Sequence, residues 1–172
     1  MHKSSVTQHY YAVTADSVTY ANALQQSAAA TYAGANGHLF VPNSHLEFMD
    51  VQANIVGLIH NDPHWLGITD AAVEGKWLVS AGPYVGADLS DLLVWLRDEP
   101  NGGTAENCAM HQPGSSWTAD TVCTVQRRYV IEYECPFGQR FNDAGTACIG
   151  KSVACCGIAV MLNKGLGSIL QM

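Results

Sequence analysis

The segment from Gly82 to Ser116 has little periodicity apart from LSDLLVWL. At its centre WLRDEPNGGTAENC, Trp95 to Cys108, gathers two glutamates, two asparagines, an aspartate, a proline and two glycines. Long structureless stretches are uncommon inside compact domains and are usually functional or disordered. A chain that contains one needs a scaffold firm enough to carry it. Glycine and asparagine are ordinary turn formers, so a solvated turn explains them. It does not explain carboxylates spaced to converge.

The flanking sequence supplies elements for such a scaffold. QHYYAV alternates weakly and predicts a short strand; Asp16 or Ser17 then stands where it could cap a helix over SVTYANALQQSAAATYAG, with Gly34 and Gly37 as stops. SHLEFMDVQANIVGLI opens with a capping box, Ser44 and Glu47, and carries Phe48, Val51, Ile55 and Ile59 on one face at helical spacing. HWLGI and KWLV are apolar strand candidates separated by the polar turn TDAAVEG. RRYVIEYE alternates cleanly, with Tyr129, Ile131 and Tyr133 on one face and Val130 and Glu132 on the other. Strand, helix, helix, then strands around a long loop predicts an α+β domain.

With 172 residues, 48% of them hydrophobic, the chain can bury a core. Eight Lys+Arg against fifteen Asp+Glu give a net charge of −7, and the only adjacent basic pair is Arg127–Arg128. No cationic surface exists to neutralise phosphates, which argues against nucleic acid as a partner. The acidic excess suits cation binding or plain solubility. All six cysteines lie at or beyond Cys108: Cys123, Cys135, Cys148, Cys155 and Cys156 follow it. Their spacings match neither paired zinc knuckles nor a C-x-x-C redox motif, so disulfides in an oxidising compartment are expected. MHKSSVTQHYYAV has no apolar core of a signal peptide, so a piece of a larger secreted product is the expectation. No N-x-S/T sequon supports secretion.

HYYAV, ANGHLFVPNSHLEF, HWLGITDAAVEG, WLRDEPN, ENCA, WTADTVC and YVIEYEC together, in this order, resemble the C-type lectin-like domain. The likeness runs from about Tyr10 to Cys135, giving a domain at residues 8–135 and a cysteine-containing apolar tail at 136–172. It implies a looped α+β fold, two helices with small antiparallel sheets, in which the long loop binds calcium. Calcium takes six to eight oxygen ligands, largely carboxylates and amide carbonyls, from bent backbone. Glu99 and Asn101 flank Pro100, and a cis Glu99–Pro100 bond, as the family implies, turns both side chains to one side. Glu106 precedes Cys108 and Asp120 precedes Cys123, and the resemblance implies that these two cysteines pair and draw the four ligands together. Glu99, Asn101, Glu106 and Asp120 are therefore the candidate calcium and carbohydrate ligands.

In this family Glu-Pro-Asn goes with mannose-type sugars, including glucose, N-acetylglucosamine and fucose. An auxiliary calcium site would use Asp70 and Glu74, although Gly102 stands where another of its ligands is expected. Further departures are Trp117-Thr118-Ala119-Asp120, one residue longer than the family's Trp-Asn-Asp with Ala119 in place of the Asn, and Ser27 near the place of the family's first cysteine. Cys135 must then pair elsewhere, Cys148 being one candidate. CCGIAVMLNKGLGSILQM is a poor membrane span and is read instead as a segment covered by a partner subunit, a protein partner or further residues.

Trp65, Trp77, Trp95 and Trp117 could stack on sugars, but core and loop-base roles explain them. HNDPH, His60 to His64, could ligate a metal, but a polar connecting loop explains it. No Ser/His/Asp arrangement or activated cysteine stands out, so an enzyme is not expected. Two functions remain: a calcium-dependent, extracellular carbohydrate-binding domain, or a structural module of an extracellular assembly that uses the lectin fold as a scaffold.

Overall fold

A computed structural model describes residues 1–55, 62–112 and 117–150, with Trp117 described by its backbone alone. The hub is strand β9 (Arg128–Glu134). It pairs antiparallel with β2 (Tyr10–Val13), which in turn carries β1 (His2–Lys3). Its other edge is shared. Residues 131–134 pair with β4 (Ala35–Leu39), while Arg128 and Tyr129 pair in parallel with β5 (His64–Thr69). β5 continues the sheet through β6 (Leu78–Val79) on one side and β7 (Cys108–Gln112) on the other, and β7 pairs with β8 (Trp117–Thr121). With both edges and both faces of β9 covered, all of Tyr129 to Tyr133 is buried. The second face of the sequence alternation, Val130 and Glu132, therefore faces protein too.

Helix α1 (Tyr20–Ala29) starts later than Asp16 or Ser17. Val18 exchanges two backbone hydrogen bonds with Arg127, at 2.9 and 3.0 Å, and this bridge holds the chain extended up to Thr19. The helix also ends before Gly34. Thr31–Tyr32 forms β3 and pairs with β4 across the two-residue turn Ala33–Gly34, whose φ values of 52° and 83° are both left-handed, as a tight hairpin of this type requires. Sheet pairing thus overrides the helix propensity of the alanine run.

Helix α2 (His45–Ile55) begins as the capping box predicts: Glu47 N–H donates to Ser44 Oγ at 3.2 Å. The Glu47 carboxylate accepts from Asn43 N–H at 2.7 Å. Phe48, Val51 and Ile55 are buried on the expected face, and Ile59 lies outside the described residues.

The core gathers Tyr11, Leu39, Phe40, Trp65, Leu66, Ile68 and Trp77. Trp65 is fully buried, donates from Nε1 to Val18 O at 2.8 Å and meets Tyr20 edge-on. Trp77 packs against Trp95, ring centres 4.7 Å apart, at the base of the long loop. These three tryptophans are structural. His64 is fully buried within β5 and not in a polar loop; its ring lies tilted against that of His111, centres 4.7 Å apart, and it is held neutral, its pKa driven down to about 3 by burial and then by the His111 charge. His60 lies outside the described residues.

Two disulfides join Cys108 to Cys123 and Cys135 to Cys148. The second closes a hairpin of β10 (Gln139–Phe141) and β11 (Cys148–Gly150), whose Phe141 packs on Tyr10 at 4.8 Å. Cys155, Cys156 and the apolar stretch that follows lie outside the described residues. Among the described residues no helix is long and apolar enough to cross a membrane.

A Cβ on Gly37 would stand 2.6 Å from Ser27 O and 2.9 Å from Ile131 Cγ2, so β4 touches α1 backbone to backbone. Gly37→Ala is expected to cost about 1–3 kcal/mol, the usual range for overpacking. Urea denaturation measures it, and an unchanged midpoint would mean that the sheet and helix stand further apart.

Candidate functional site

The long loop is clamped before it reaches its polar segment. Leu96 N–H donates to Thr118 O and Thr118 N–H to Val94 O, both at 2.8 Å, so the loop's entry lies alongside β8. The chain then turns through Asp98, whose φ is 68°, and Glu99 N–H returns to Leu96 O at 2.9 Å. The Glu99–Pro100 bond is cis. After it come Asn101, Gly102 and a single 3₁₀ turn, Gly103–Ala105, which delivers Glu106 and Asn107 to the start of β7.

Asp120 reaches this segment from β8. Its two carboxylate oxygens accept the backbone N–H groups of Asn101, at 3.2 Å, and of Gly102, at 2.9 Å. The Glu99 carboxyl faces Asp120, and its Oε2 is buried without a hydrogen-bond partner. Burial, contact with the Asp120 carboxylate and the negative charges of Asp120 and Glu106 push its pKa up to about 7. Asp120 and Glu106 thus stand close enough to oppose ionisation of Glu99. Glu106 also lies over Gly102, since a Cβ there would fall 2.2 Å from Glu106 Cβ and Cγ. Nothing larger than glycine fits unless Glu106 moves.

Glu99, Asn101, Glu106 and Asp120 are therefore brought together. Asp70 and Glu74 belong to the turn after β5. Asp70 is buried and its Oδ2 accepts Gly75 N–H at 2.9 Å, while Glu74 is exposed. The turn abuts the loop through Asp70 N–H and Asn107 O, 3.3 Å apart. Ala119 pairs with Met110 in mid-strand and is buried, on the face of β8 opposite to Asp120 by strand alternation.

A second polar group sits elsewhere and has no signal in local spacing. Glu132 is fully buried, with its Oε1 2.8 Å from His9 Nδ1 and accepting Tyr11 O–H at 3.2 Å; the same hydroxyl lies 2.6 Å from Glu47 Oε1. Burial and the Glu132 charge raise the Glu47 pKa to about 7. For His9, burial opposes protonation and the Glu132 contact outweighs it, so its pKa is raised.

Residues 21–133 match the Lectin C-type domain. The chain belongs to the C-type lectin domain family. It is similar to C-type lectin domain family 3 member A of Homo sapiens, 36% identical over 73 residues that make up 42% of this chain and 34% of that one. The match thus spans about a third of that relative's length. Among solved structures, the C-type lectin CEL-I from Cucumaria echinata superposes with a TM-score of 0.63 at 19% identity, covering 74% of this chain and 91% of that one. A calcium-independent type II antifreeze protein superposes with 0.57 at 18% identity, covering 73% and 85%. At these identities the likeness is one of fold. One fold therefore carries both a lectin and a calcium-independent protein.

Proposed function

We propose that this lectin-type domain binds carbohydrate of the mannose class through calcium held by Glu99, Asn101, Glu106 and Asp120. The observation that carries the proposal is Glu99: a carboxyl with one oxygen buried and unpartnered, made hard to ionise by Asp120 and Glu106. A hard dication relieves each of those penalties, and carboxylate and amide oxygens on irregular backbone are the donors it takes. Bound there, calcium would supply coordination positions for two vicinal sugar hydroxyls. The chain's own residues do the rest. Glu99 accepts a hydrogen bond from one hydroxyl, the Asn101 amide donates to another, and Asp120 keeps the Asn101–Gly102 backbone in place for both. Glu99-Pro100-Asn101 supports mannose, glucose, N-acetylglucosamine and comparably placed fucose hydroxyls as the sugar class. Asp70 and Glu74 are the proposed auxiliary ligands. The two disulfides support a place outside the cell or at its surface.

A second reading rests on Asp120. Both of its oxygens already accept backbone N–H groups, so protein contacts contribute to the shape of the loop. On that reading the domain is a structural module of an extracellular assembly, with the apolar sequence beyond Gly157 contacting another chain. A glycan array read with calcium and with EDTA separates the two. Mannose-class signal that disappears on chelation supports the lectin; no signal under either condition supports the scaffold.

A further inference from the structure

We propose that His38, Glu132 and Glu134 form a binding site for a zinc-type divalent metal ion, built on β4 and β9 and sharing no residue with the long loop. Strand register puts the three together. His38 lies directly opposite Glu132 in the β4–β9 ladder, and Glu134, two residues on, points to the same face as Glu132. One donor atom from each lies within 4.8 Å of the other two.

The tautomer of His38 points the same way. Its Nδ1 lies 3.1 Å from Leu39 O, where only an N–H can sit comfortably, so the lone pair is left on Nε2. Nε2 faces Glu134 Oε2 at 3.8 Å, and both atoms are buried without a hydrogen-bond partner. That separation is too long for a hydrogen bond. It suits two ligands of one ion: donors about 2.0–2.2 Å from a tetrahedral zinc stand about 3.4 Å apart. His38 is only 8% exposed, so an unpartnered ring nitrogen there is costly.

The surroundings hold the ligands in position. A Cβ on Gly82, whose φ is +75°, would lie 2.9 Å from the His38 ring, so bare backbone packs against that ring. Glu132 is oriented by Tyr11 O–H, His9 and the Val41 N–H, the kind of outer shell that tunes metal ligands. His38 and Glu134 line a groove of about 1000 Å³ that also touches Gly82, Tyr84 and Phe137, which gives an ion a way in and leaves a coordination position open. One imidazole and two carboxylates suit zinc, whereas calcium seeks six to eight oxygens.

The test is calorimetric titration of zinc into the full 172-residue chain near neutral pH with calcium in excess, repeated with cobalt for its absorption bands. One zinc per chain is expected, weakened about tenfold or more in Glu134→Gln, lost in His38→Gln and unchanged in Glu99→Gln. The last arm separates this site from the loop, whose failure as a calcium site would leave the zinc result standing. Glu134 sits at the groove's rim, so Glu134→Gln decides the matter even if His38→Gln does not fold. No zinc bound by the wild type, binding unchanged by Glu134→Gln, or displacement of the zinc by calcium would each overturn the assignment.

Discussion

Converting Cys108 and Cys123 together to serine is expected to lower the unfolding free energy by about 3 kcal/mol, the chain-entropy value for a crosslink of this span. The two cysteines are 15 residues apart, at the start of β7 and just beyond β8. Those strands pair from Cys108↔Thr121 to Gln112↔Trp117, so their ladder keeps Asp120 in place without the crosslink. The loss should therefore arise chiefly in the unfolded chain. The second disulfide gives an internal control. Cys135 and Cys148 are 13 residues apart, and the same model gives the two bridges equal value within about 0.1 kcal/mol. Urea denaturation of both double variants measures the difference. Equal losses would assign both bridges to chain entropy, while a much larger loss at Cys108–Cys123 would mean that this bridge holds the native loop.

The parts of this fold that were legible in the sequence are those set by neighbours along the chain. Ser44 and Glu47 mark the start of α2 because the cap is made within four residues. The apolar runs of β5 and β9 read as strands for the same reason. What could not be read is set by contacts across the sequence. Thr31 and Tyr32 follow a run that favours helix, yet β4 claims them, and Val18 is held out of α1 by Arg127. Glu132 reads as the polar face of an alternating strand; its partners Tyr11 and His9 are 121 and 123 residues away, so no local pattern reveals that its carboxylate is wholly enclosed. At the loop, the carboxylates were visible as residue types. That Gly102 is bare because Glu106 lies over it was not, since only the folded 3₁₀ turn brings the two together.

Calcium affinity at the proposed site is expected to fall about tenfold between pH 8 and pH 6, because the ion needs Glu99 ionised. Its carboxyl is raised to about 7 by burial, Asp120 and Glu106, so at pH 6 most chains must release a proton before calcium binds, and at pH 8 few must. The sign for stability runs the other way. A carboxyl whose folded pKa is raised stabilises the ion-free protein below its ordinary value of about 4.5, and that contribution is lost as pH rises through about 7. Calcium should restore it at the alkaline end, giving a thermal shift that grows with pH. Glu99→Gln removes the charge, so calcium binding should vanish together with the alkaline loss of stability in the ion-free protein. Ala119→Asn is the complementary variant. The methyl it replaces is buried on the face of β8 away from Asp120, so the new amide should find no calcium and should cost about 1–3 kcal/mol as an enclosed polar group. Calorimetry of calcium binding at both pH values, with melting curves for each variant, tests the whole scheme. Tighter binding in Ala119→Asn would place a missing ligand at residue 119, and a pH-independent affinity would detach Glu99 from the ion.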